Sequence, residues 1–133
     1  MVDLYLRRKT DKASSVPHWP ITALLEVPEY RDKFLRLLAE VIQTNFLYDT
    51  QSEPVLTRWR DQIELVMPRH IAKFKTFPSV SEWKQNVRAT MNYTRRRPRM
   101  VINWVCQRLH LTRDEREAYF RTTLDLLTLH NEK

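Results

Sequence analysis

No glycine occurs anywhere in this 133-residue chain, and that absence narrows the folds open to it more than any motif does. Hairpins and tight turns draw on glycine for positive φ, and phosphate-cradling loops draw on it for close backbone approach. A chain without it holds no P-loop, no Rossmann fingerprint and no glycine-rich kinase loop. What remains is an all-α fold: a compact bundle of five or six helices with a short N-terminal arm, its helices ending on asparagine, proline or polar residues. With 42% hydrophobic and 29% charged residues, one core of ordinary size is expected. We divide the chain into an arm or linker at 1–19 and a helical domain at 20–133. Alternation of Val2, Leu4 and Leu6 with polar neighbours gives the arm one short strand.

Hydrophobic spacing and proline positions predict the helices. A short one covers Pro20–Glu26. The next opens on Pro28, a good first-turn residue, with Glu29 favouring the dipole, and runs to Asn45. Its apolar residues Tyr30, Phe34, Leu37, Leu38, Val41 and Phe46 recur at close to 3.6. A third helix runs from Ser52 or Glu53 to Val66 with a stripe of Val55, Trp59, Ile63 and Val66; Pro68 interrupts it, and "PRHIAKF" adds a turn or two. Ser79 with Glu82, and Thr112 with Glu115, have capping-box spacing. The helix after Ser79 presents Val80, Trp83, Val87 and Met91. Pro98 disfavours helical geometry at Arg97 and is expected to start a separate helix carrying Val101, Val105 and Leu109, helped by Ile102 or Trp104. A last helix, Arg113–Leu129, presents Phe120, Leu124 and Leu127. We expect Pro28–Asn45 at the centre, packed against the Val55–Val66, Val80–Met91 and Val101–Leu109 stripes.

Charge is unevenly placed. The net charge is +7, and eight of the 23 basic residues lie between Lys84 and Arg113, where no Asp or Glu occurs. Four arginines, Arg95, Arg96, Arg97 and Arg99, crowd around Pro98. The rest of the chain is close to neutral. The single cysteine, Cys106, excludes an internal disulfide and a cysteine-based zinc site. No run of about 18 apolar residues is present, so no membrane span is expected, and the first residues lack the apolar core of a secretion signal.

Three segments in order carry a resemblance: "LLEVPEYRDKFLRLLAEVI" from Leu24, "MPRHIAKF" from Met67, and "SVSEWKQNVRATMNYTRRRPRMVINWVCQRLHL" from Ser79. Together, from Leu24 to Leu111, they resemble the C-terminal helical portion of the CotH kinase family, the spore-coat-protein-H-like atypical kinases. Members often show a leucine pair before an "npeyrdkF" motif, an "mprHi" motif, and a tryptophan helix leading to an "RP" pair. The usual "FGL"-like ending is "LHL" here. The family's nucleotide- and metal-binding half has no counterpart, with neither a glycine-rich nor an Asp-Trp-Asp-like motif. The resemblance thus implies a helical subdomain of a kinase-like protein, not catalytic by itself, with no cofactor of its own and no catalytic residue to carry over. It also implies a spore-coat or extracellular setting.

The candidate site is the set Arg88, Arg95, Arg96, Arg97, Arg99, Arg108 and Arg113, as a surface for an anion or a partner. Arginine suits that role because its planar fork grips phosphate or carboxylate at two points. The same residues also fit a structural reading: Arg97, at the family's "RP" position, pairs with a carboxylate or helix-end carbonyls, while the others are solvated. Nucleic acid is a further reading, with Tyr93 and Trp104 beside the arginines for stacking; equally, Trp104 fits a helix stripe. A helix-turn-helix with "TRRRP" as its turn would lack the usual glycine.

The remaining residues read more simply. His70 is expected at a helix end, and no two of His18, His70, His110 and His130 have i, i+4 metal spacing. Cys106 reads as a small buried hydrophobe, although His110, four residues on, leaves a dyad open. Glu26 with Glu29, and Glu115 with Glu117, read as helix-start residues. Trp19, Trp59, Trp83 and Trp104 read as packing anchors.

The expected function is therefore support of a kinase half or engagement of a partner. The alternative is a stand-alone basic module that binds nucleic acid or an acidic protein through Arg95–Arg99. A kinase subdomain should expose its apolar patch near the N-terminal arm; an adaptor should expose one beside the arginines.

Overall fold

A computed structural model describes residues 19–132, and the expected arm and its short strand lie outside the described residues except for Trp19. Among the described residues the chain forms six α-helices and no strand: α1 (Trp19–Glu26), α2 (Pro28–Asn45), α3 (Glu53–Glu64), α4 (Met67–Phe74), α5 (Val80–Arg108) and α6 (Arg113–Asn131). A π-helical turn, Tyr48–Ser52, joins α2 to α3. The fold is all-α, as expected.

Local chemistry sets the helix starts. Prolines stand in the first turns of α2, α3 and α4, where a missing N–H costs nothing and φ is already helical. Ser79 Oγ accepts from the Glu82 N–H at 3.1 Å to start α5. Thr112 and Glu115 form a complete capping box at α6. There the Thr112 N–H donates to Glu115 Oε2 (2.8 Å), and Thr112 Oγ1 accepts from the Glu115 N–H (3.2 Å). The Thr112 backbone and hydroxyl hydrogen bonds hold the Glu115 carboxyl below its usual 4.5.

The core lies among α2, the second half of α5, and α6. Leu35, Ala39 and Ile42 of α2 meet Ile102, Val105 and Cys106 of α5 and Phe120 and Leu127 of α6, with Leu47 closing one end. Phe120, Leu35, Ile102 and Val105 have no exposed surface; side chains of this size contribute about 1.5–3 kcal/mol each when buried. Polar clamps fix the helices' register. Tyr119 Oη donates to Asp32 Oδ1 (2.8 Å), whose other oxygen accepts from Arg36 Nε (2.9 Å). Gln43 Nε2 donates to the buried Thr123 Oγ1 (2.7 Å), and Arg31 Nη2 donates to the Leu109 carbonyl near the end of α5 (2.6 Å).

Three sequence expectations are corrected. First, α2 buries a different face. Tyr30, Leu37, Val41 and Phe46 are exposed, while Phe34 and Leu38 lie partly against the core. The helix is apolar on two sides, and Ala39 and Ile42 mark the inner one. Second, α3 and the start of α5 do not cover α2. α3 packs on α4, on the π turn and on the first half of α5, and it buries none of its residues. Its stripe of Val55, Trp59, Ile63 and Val66 faces solvent, so Trp59 anchors no packing, whereas Trp83 and Met67 are buried.

Third, Pro98 starts no new helix: α5 continues through it as one 29-residue helix. Proline removes the N–H that would meet the Thr94 carbonyl and crowds the preceding turn. One residue on, the Arg95 carbonyl accepts from Asn131 Nδ2 (2.9 Å). Pro98 is itself buried, so tertiary packing holds what local preference would break. Asn131, 5% exposed, also donates to the Phe46 carbonyl (3.2 Å) and accepts from the Tyr48 N–H (3.0 Å).

Without glycine, the left-handed positions fall to other residues. His110 has φ 52 and Lys75 φ 51. After α5 the His110 N–H donates to the Gln107 carbonyl and the Leu111 N–H to the Cys106 carbonyl, which is a Schellman cap with His110 where glycine usually sits.

His110→Gly should stabilise the protein by about 0.5–1 kcal/mol in urea unfolding, and His110→Ala should give no such gain, because only glycine relieves the left-handed cost. Asn131→Ala should cost about 2–4 kcal/mol, since it strips partners from three backbone groups. Asn131→Asp should also destabilise, because it retains an acceptor for Tyr48 and loses both donors.

Candidate functional site

The arginine run lies midway along α5. At 3.6 residues per turn, residues four and seven apart share a face and residues two apart oppose each other. Continuity of α5 through Pro98 thus divides the set. Arg88, Arg95 and Arg99 follow one line; Arg97 and Arg108 fall on the opposite side; Arg96 lies between.

Each arginine has a distinct setting. The Arg95 guanidinium lies 4.5 Å from the ring centre of buried Tyr48. Arg99 donates to Thr128 Oγ1 (2.8 Å) and the Leu124 carbonyl (3.3 Å), and it pairs with Glu132, which ties α5 to the end of α6. Arg97 lies over Trp104 (4.3 Å) and Tyr93 (5.4 Å). The carboxylate and carbonyl pairing expected of Arg97 therefore belongs to Arg99, and Arg97 is held by aromatic faces instead. Arg96 is exposed, with a long 3.4 Å contact from Nε to the Asn92 carbonyl. Arg88 is exposed near Lys84, which pairs with Glu64 of α3. Arg108 and Arg113 are exposed at the α5–α6 corner.

Two clefts follow the seam between α5 and α6. One, of 420 Å³, is bordered by Arg95, Arg96 and Arg99, with Met100 and Leu127 in its lining. The other, of 630 Å³, is bordered by Arg113 and Arg116, with Cys106, His110 and Leu111 in its lining. Asn103 belongs to both, and it accepts from Arg116 Nη2 at 2.9 Å. Arg116 was not singled out by sequence. Its signal was its place one turn into α6, and only the antiparallel return of α6 along α5 brings it to the arginine helix.

Cys106 is buried, and desolvation pushes its thiol above the usual 9.0. A nucleophilic cysteine needs the opposite shift. His110 has its backbone committed to the helix cap, and exposed His70 stands 4.9 Å from the Phe74 ring, centre to centre, on α4. Among the described residues no three His, Cys, Asp or Glu side chains gather as a metal set, and no helix is long and apolar enough to cross a membrane. Iodoacetamide should label Cys106 at least about 10-fold more slowly in the folded protein than in urea; labelling at the unfolded rate would revive the Cys106–His110 dyad.

Compared with models of known families, residues 7–101 match the one described as CotH kinase protein. No curated protein and no solved structure matches. The matched segment runs from within the arm through α1–α4 and the arginine run of α5, and it includes the "RP" pair at Arg97 and Pro98. With most of its length matched, the chain belongs to the CotH kinase protein family.

Proposed function

We propose that this chain is a non-catalytic helical subdomain of a CotH-like kinase protein, and that its α1–α2 face supports the kinase half. The observation that carries this reading is a series of exposed apolar side chains in the helices that follow the arm in sequence. Ile21, Leu24, Val27 and Tyr30 recur every three residues and are 39%, 48%, 42% and 51% exposed. Leu37 and Val41 extend the outer face of α2 from Tyr30, at seven- and eleven-residue spacing. Apolar patches of this kind mark interaction surfaces, and this one is carried by the first two described helices, which follow the arm in sequence. Family membership supports a kinase-like partner. A chain without glycine has no loop of the kind that cradles a triphosphate.

Leu24→Glu with Val41→Glu should change the stability of this chain alone by no more than about 0.5 kcal/mol each, as exposed positions do. In a protein that includes the upstream kinase half, the same pair should release the helical part from that half in limited proteolysis. Phosphoryl transfer from ATP by the purified chain alone would overturn the reading, and so would a stop codon in the reading frame immediately upstream of Met1.

A further inference from the structure

We propose that the seam between α5 and α6 is a binding groove for an extended acidic peptide segment, distinct from the α1–α2 face and independent of the kinase half. The two clefts both take Asn103 into their lining, so they lie next to each other along the seam, and the proposed track runs through both. Along α5, the lining positions from Arg96 to Gln107 form a single helical stripe about 17 Å long at 1.5 Å per residue. An extended peptide of about five residues covers that length at 3.3 Å per residue.

Charge selects the ligand. Five arginines border the track: Arg95, Arg96 and Arg99 at one end, Arg113 and Arg116 at the other. The one carboxylate in its lining, Glu132, is already paired with Arg99. Arg96 and Arg113 are exposed and have no carboxylate partner among the described residues. Arg116 joins Arg113 at its end of the track, with its Nη2 on Asn103. Carboxylates spaced along a peptide would meet the two arginine groups in turn, in the fork geometry that arginine favours.

The lining also separates peptide from nucleic acid. Beside its arginines each cleft has apolar lining, Met100 and Leu127 in one and Leu111 in the other, suited to side-chain stems. Single strands bind by stacking bases on aromatic rings, and neither cleft has a Phe, Tyr or Trp in its lining. The aromatic residues of the arginine run, Tyr93 and Trp104, are occupied by Arg97 on the other side of α5. Of the arginines marked from sequence, Arg95, Arg96, Arg99 and Arg113 therefore belong to this groove; Arg88, Arg97 and Arg108 do not.

The test uses the full chain with fluorescein-labelled octaglutamate, read by anisotropy, and an oligothymidylate of equal length as competitor. Octaglutamate should bind saturably and weaken as salt rises. Arg96→Glu with Arg113→Glu should weaken it by about tenfold or more. Arg58→Glu with Arg88→Glu, the same charge change at exposed positions outside the groove, should weaken it by less than about twofold. Absence of saturable binding would overturn the proposal, as would equal losses in the two variants. Tighter binding of oligothymidylate than of octaglutamate would assign the groove to nucleic acid instead.

Discussion

The fold depends on one buried amide. Asn131 uses its oxygen and both of its donor hydrogens on backbone groups from two other parts of the chain: Phe46 and Tyr48 after α2, and Arg95 in the turn before Pro98. Phe46 and Tyr48 lie where regular helical bonding is interrupted, and Arg95 lies one residue from the carbonyl that Pro98 leaves without its N–H. The Phe46–Tyr48 stretch leaves α2 and enters a π turn, and Pro98 cannot donate. A buried amide that satisfied only one of them would leave the rest desolvated and unmatched, at about 1–3 kcal/mol apiece. The end of α6 thus ties the exit of α2 to the middle of α5.

Much of this was legible in the sequence because it rests on local chemistry. Prolines at 28, 54 and 68, Ser79, and the Thr112–Glu115 pair announce helix starts through groups within a turn of each other, and each start lies within a residue or two of its expected place. The inner face of α2 was not legible in the same way. Its outer stripe carries larger side chains than its inner one, and only the arrival of Ile102 and Phe120 shows that Ala39 and Ile42 face inward. Tolerance of Pro98 was hidden for a related reason: its burial holds it in the helix, and local preference does not report burial. The exposed stripe of α3 followed the correct helical period, yet periodicity states that a face is apolar without stating what covers it.

The same distinction governs the arginines. Their density was visible at once, but density along a sequence is not density in space. A break at Pro98 would have freed the two halves of the run to turn independently. An unbroken helix instead commits Arg97 to Trp104 and Tyr93, commits Arg99 to the end of α6, and leaves Arg96 at the surface. Electrostatic character on this protein is therefore set by helical phase, with structural and solvent-facing guanidiniums alternating within five consecutive positions.

The region shared with the family stops at Val101, yet α6 begins only at Arg113. Phe120 and Leu127 cover Leu35, Ala39 and Ile42 from the far side of that limit, and Asn131 closes the seam. A boundary drawn where the likeness ends would therefore slice through a single apolar interior, exposing the inner wall of α2 to water. Residues beyond Val101 thus supply much of the wall against which the matched helices pack.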